Sequence, residues 1–211
     1  HHCSQPITLN GYLRADKKLR LGLEWFLFKS GICSRTQATT GAFLCSNDAV
    51  EHPDIQFHFF PSLVINHGLI NPKSHGFQLH ASPNRPKSRG SITLNTSNPY
   101  DYPKILFNYL EHEDDLKQTR ECIHVARKIL SQKSLKLYSG KEVGPGAKAQ
   151  SDEQLDEYIR SRAETAYHPC GTLKMGTDKM SVVDENLRIH GLQNIRVIDA
   201  SVIPEIPSAN L

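Results

Sequence analysis

Several features are missing from this chain. No run of about 18 apolar residues occurs, so no segment is long enough to cross a bilayer as a helix. The five cysteines (Cys3, Cys33, Cys45, Cys122, Cys170) include no CxxC pair and are odd in number, which argues against a disulfide framework and for a reducing intracellular setting. There are 11 histidines, but none stands at metal-ligand spacing from an acidic or cysteine partner, and only His1 and His2 adjoin, so no metal site is expected. Charge of one sign is missing too: 25 Lys and Arg face 22 Asp and Glu, a net of +3, which leaves no electrostatic footing for nucleic acid. Repeats and low-complexity segments are absent. So are an initiator Met and any signal or transit segment, and the chain stops at Ser208-Ala209-Asn210-Leu211; a piece of a longer protein is the expectation.

What is present is ordinary apolar content in 211 residues, enough for one good-sized core or two small ones. Pro6-Ile7-Thr8-Leu9 alternates and predicts the end of a strand within residues 1–13. Asp16 then reads as an N-cap, with Leu19, Leu23, Phe26 and Leu27 at helical spacing, Trp25 as a packing residue and Gly31 as a stop. Ala42–Cys45 is a short strand. After the His52-Pro53-Asp54 turn comes a second, half-buried one, Ile55–Pro61, in which Gln56, His58 and Phe60 point away from Ile55, Phe57 and Phe59. Phe77–Ala81 and Ser91–Asn95 alternate likewise, and the basic Pro83–Gly90 segment between them reads as a solvated hairpin tip in preference to an anion-binding loop. A long amphipathic helix is predicted from His112 to Leu130 with an acidic first turn, and a capping-box start at Ser151 opens another through Leu155, Tyr158, Ile159 and Arg162. Antiparallel strands with helices on one side, followed by a short return to a nucleotide-type domain, make an α+β chain.

The last forty-five or so residues carry the chemistry. Ile195-Arg196-Val197-Ile198 predicts a buried strand that ends at Asp199-Ala200-Ser201, the kind of strand end where ligands sit. His168 and Asn210 lie on either side of it as candidates for one site.

Tyr167-His168-Pro169-x-Gly171-Thr172-x-Lys174-Met175-Gly176, then Val183-Asp184, Leu187-Arg188, Gly191 and Ile195–Ser201 with Pro204, resembles the C-terminal signature of the glucose–methanol–choline flavoprotein oxidoreductases. His52–Phe59, Ser88-Arg89-Gly90, Pro103 to Tyr109, Gly140 to Gly146 and Gln150–Glu153 resemble its choline dehydrogenase branch, so the likeness covers nearly the whole chain. It implies an antiparallel substrate-binding domain over residues 1–155 and, over 156–211, the C-terminal catalytic segment of a Rossmann-like FAD-binding domain. The N-terminal half of that domain, with its GxGxxG turn, is not in the sequence.

By the same resemblance His168 and Asn210 are the catalytic pair, and His58, Tyr167 and Phe60 line the substrate pocket. Asp199, Ala200, Asn210 and Leu211 approach the FAD cofactor. The implied reaction is oxidation of a primary alcohol, choline to betaine aldehyde, as in glycine betaine biosynthesis, with a quinone-type electron acceptor. The implied location is the mitochondrial inner membrane in an animal, or the cytoplasm or inner membrane in a bacterium, by peripheral association. Another alcohol or sugar dehydrogenase or oxidase of the family, and a non-catalytic scaffold, are the competing expectations.

Overall fold

Alternation in Ile55-Gln56-Phe57-His58-Phe59-Phe60 gives a strand two unlike faces, and in the computed structural model that strand is the centre of the fold. The structure describes residues 1–12, 15–36, 38, 40–65, 69, 70, 72–208, 210 and 211, and of Ala15 the backbone alone. Strand β2 (Ile55–Phe60) lies between β1 (Thr40–Leu44) and β3 (Gln78–Pro83), antiparallel to both. The register sets Ala42 and Ala81 opposite Phe57 and Leu44 opposite Ile55, so one face is apolar throughout. Helix α2 (Glu113–Leu130) covers that face with Cys122, Val125, Ala126 and Ile129. Ile55 and Phe57 are at most 1% exposed, each burial stabilising by about 1.5–3 kcal/mol. The opposite face carries His58, Phe60 and, from β3, His80.

Helix α2 runs as its sequence predicts. The His112 ring caps it by accepting the Asp114 N–H at 3.2 Å, and Glu113, Asp114 and Asp115 fill the first turn, where the helix dipole favours anions. The chain then makes a single turn, α3 (Lys133–Lys136), before α4 (Asp152–Arg162). Ser151 and Gln154 form the expected capping box of α4, and Leu155 and Ile159 are buried. Arg120 of α2 grips both Asp156 carboxylate oxygens at 2.7 Å and so joins the two helices.

Some expectations are corrected. The helix predicted near Asp16 is α1 (Ala15–Phe28), but Asp16 lies inside its first turn rather than capping it. Its spacing is helical, yet Leu19, Leu23, Phe26 and Leu27 are 52–70% exposed, because no described residue covers them. Trp25 is itself 43% exposed, under the Lys29 ammonium at 4.1 Å from its ring centroid. Residues 1–12 form no strand. Thr8 and Asn10 turn their side chains onto the backbone of Leu63 and Gly76, and that local competition diverts Leu9–Tyr12 into a 3-10 turn.

The Pro83–Gly90 segment is not a hairpin tip. Strand β3 pairs with β2, whereas β4 (Ser91–Thr93) pairs with β5 (Lys104–Leu106) in a separate two-stranded sheet, so the segment passes from one sheet to the other. It does bind an anion, one supplied by this chain: the Lys87 and Ser88 N–H groups donate to the buried Asp115 carboxylate at 2.7 Å each, and Lys87 Nζ reaches Asp114.

Ile195–Ile198 is no buried strand either. Only a single bridge, Arg188 to Arg196, forms there, and Ile195 and Ile198 are 48% and 77% exposed. Hydrophobic spacing marks a surface that prefers burial, but a strand needs a continuous ladder, and the described pairing stops at the Val197 N–H to Leu187 O and Ile189 N–H to Ile195 O bonds around that bridge.

Candidate functional site

The Tyr167–Gly176 segment begins where α4 ends. Thr165 Oγ1 receives the Tyr167 N–H at 2.9 Å, and Tyr167 takes a left-handed φ of 64°, which turns the chain sharply into His168. Beyond it the segment runs beside residues 201–204. Leu173 N–H donates to Ser201 O at 3.0 Å and Met175 N–H to Val202 O at 2.8 Å. Gly171, at φ 84°, passes so close that a Cβ there would lie 3.4 Å from Pro204 O. These contacts hold the start of the C-terminal tail alongside the His168 segment.

The tail then returns to the histidine. The Leu211 N–H donates to His168 Nδ1 at 3.2 Å, across 43 residues of sequence. Asn210 is the residue before Leu211 in the chain, and both Asn210 and Leu211 are exposed while His168 is half-buried. The contact observed to His168 is the one from Leu211.

His58 and Phe60 sit on the helix-free face of the β1-β2-β3 sheet. His80, which the sequence reading placed in a strand without assigning it to the site, is directly opposite His58, and its ring is 4.7 Å from that of Phe60. Burial draws the His80 ring below the ordinary imidazole range, the charge of Glu164 works against this, and His58 adds to it. Glu164 lies four residues before His168, so the coil after α4 brings its charge to the sheet face. Ser208 of the tail shares an open groove with Phe43, His52, Pro53 and Arg85 at the end of the same sheet.

Other candidates stand apart. Among the described residues no hydrogen bond joins His58 to His168 or to the tail. Tyr167 is 71% exposed and has no ring contact with Phe60. Asp199 opens the 3-10 turn Ala200–Val202, where its carboxylate accepts the Ser201 N–H at 2.8 Å and the Ser201 hydroxyl. The Ser201 hydroxyl, then its N–H, hold the Asp199 carboxyl below its usual range, so it is an anion at neutral pH. Cys170 is half-buried beside the charge of Arg89, and burial pushes its thiol up.

These residues fit one side of a flavin site. An ionised, exposed Asp199 suits hydroxyl donors such as those of a ribityl chain, and the His168–Leu211 junction suits the edge of a ring. A glycine-rich phosphate cradle is not among them.

Comparison with known proteins gives the family and the fold. The family described as GMC oxidoreductase matches residues 86–211. The chain is 46% identical over 211 residues to the oxygen-dependent choline dehydrogenase of Brucella ovis, covering 99% of this chain and 38% of that protein. It is 42% identical to the enzyme of the same name from Escherichia coli, covering 100% and 38%. The fold superimposes on Aspergillus oryzae formate oxidase with a TM-score of 0.90 at 22% identity, over 99% of this chain and 41% of that one. The chain thus spans 38% of the length of these curated relatives.

Proposed function

The chain belongs to the GMC oxidoreductases, and from that premise we propose that the protein oxidises a primary alcohol with bound FAD, converting choline to betaine aldehyde. The observation that supports the reading is the hydrogen bond from Leu211, the neighbour of Asn210 in the chain, to His168 Nδ1. The names of the two curated relatives support choline as the substrate.

In this reading bound FAD would supply the acceptor for the hydride of the carbinol carbon. The chain's own residues manage the hydroxyl group. A neutral imidazole accepting at Nδ1 has its one ring lone pair there and its proton on Nε2. Once the Leu211 bond is released and Nδ1 faces the substrate oxygen, that lone pair takes up the hydroxyl proton. The Asn210 amide donates to the same oxygen without competing for the proton. Both interactions strengthen as alkoxide charge develops, which is what lowers a barrier. Asp199 and Ala200 would hold the ribityl side of the cofactor, and His58, Phe60 and Tyr167 would line the substrate pocket.

The electron acceptor is a quinone, or dioxygen as the names of the relatives have it. Reoxidation of the reduced protein by a soluble quinone and by dioxygen, compared in separate mixing experiments, separates the two.

The test of the reaction is anaerobic stopped-flow bleaching of flavin absorbance in the complete, flavin-loaded protein, with choline, glucose and a simple alcohol. Saturable bleaching by choline is expected. Bleaching by another alcohol alone removes choline, and a loaded protein that bleaches with none of them removes the enzymatic reading in favour of a scaffold.

A further inference from the structure

We propose that His80 is a specificity-determining residue of this site, its ring forming with Phe60 and His58 a wall against a quaternary ammonium headgroup. The inference rests on the alcohol-oxidising reading above and adds how a cationic substrate is selected.

The placement is geometric. His58 and His80 are directly paired across β2 and β3, so their side chains leave the same face of the sheet about 5 Å apart at Cβ. Phe60, two residues along β2, points the same way, with its ring 4.7 Å from that of His80. Helix α2 covers the other face, so these three rings border space that helix packing does not fill. His80 as a residue is exposed, while its ring is partly covered by its neighbours, which is the source of its desolvation. Aromatic faces attract a quaternary ammonium, and a neutral imidazole next to a phenyl ring extends such a surface.

Charge decides whether the wall works. Two groups act on His80: His58 on β2, which disfavours a second positive charge, and Glu164 in the coil after α4, which favours it. Burial, aided by His58, outweighs Glu164 and draws the His80 ring below the ordinary imidazole range. Protonating His80 puts a like charge against the headgroup and costs affinity for cations only.

The experiment compares choline with 3,3-dimethyl-1-butanol, which has the same shape without the charge, on the complete flavin-loaded protein across roughly pH 5 to 8. Below the His80 pKa the KM for choline should rise towards about tenfold per pH unit, the slope of single-proton competition, while the KM of the neutral alcohol lacks that limb. Binding of tetramethylammonium, an unreactive cation, should follow the choline profile and gives a readout free of turnover. His80→Phe should abolish the choline-specific limb, with flavin content checking that the variant folds; His80→Gln serves where the phenyl ring does not fit. A limb shared by both alcohols, or one that survives in both variants, overturns the proposal. If neither alcohol reduces the flavin, the alcohol reading falls, and the tetramethylammonium profile alone decides for or against the His80 wall.

Discussion

Replacing Asp115 with alanine should unfasten the segment that links the two sheets. Asp115 is 4% exposed, and its carboxylate accepts the Lys87 and Ser88 N–H groups at 2.7 Å each together with the Ser88 hydroxyl. The Ser88 oxygen in turn accepts the His112 N–H at 3.0 Å, which ties the same segment to the cap of α2. Alanine removes the acceptor of two part-buried amides, at about 0.5–1.5 kcal/mol each, and an anion from a helix N-terminus, worth about 0.3–1 kcal/mol more. The expected loss is about 1–4 kcal/mol. Because the complete protein need not unfold in one step, the assay is amide hydrogen exchange, read at Lys87 and Ser88, alongside urea unfolding. Both amides should lose their protection in Asp115→Ala. Lys87→Ala is the control: its ammonium pairs with Asp114 at an exposed surface, so the Lys87 amide should stay protected. Unchanged exchange in Asp115→Ala, or a stability loss below about 1 kcal/mol, refutes the argument that this carboxylate organises the crossing.

Three further outcomes are expected. His168→Ala should slow flavin reduction by on the order of 10²-fold or more while the flavin stays bound, and an unchanged rate in stopped flow removes His168 from the mechanism. Asn210→Ala should also slow reduction; loss of flavin with no kinetic defect would make Asn210 a cofactor-positioning residue instead. The Lys174 ammonium, then the Met180 N–H and the Ser181 hydroxyl, hold the Asp178 carboxyl down at about 2. A carboxyl depressed in the fold stabilises it above the ordinary carboxylate range and loses that contribution as pH falls from about 4 through about 2. Unfolding midpoints over that range should therefore depend less on pH in Asp178→Asn, and an identical slope in the two proteins counts against the Lys174–Asp178 pairing.

Reading by period succeeded wherever one element buried one face within this chain. Helix α2 spans Glu113–Leu130, as its acidic first turn and apolar stripe foretell, and the capping box at Ser151 starts α4. The alternation of β2 correctly separated Ile55 and Phe57, in the core, from His58 on the opposite face. The same reading failed where burial needs a partner from elsewhere: α1 and Ile195–Ile198 have the right spacing and remain exposed. It also failed where polar side chains compete with the ladder, as Thr8 and Asn10 do.

The sequence alone determined the family, through the ordered run from Tyr167 to Pro204, and with it the candidacy of His168 and Asn210, because residue types at fixed spacing are a property of the chain. Only the tertiary structure brought the tail back across 43 residues to His168 and set His80 against His58 and Phe60. Those contacts depend on strand register and on where Gly171 lets two segments pass, and pairing between distant segments is not encoded in the local periodicity of either one.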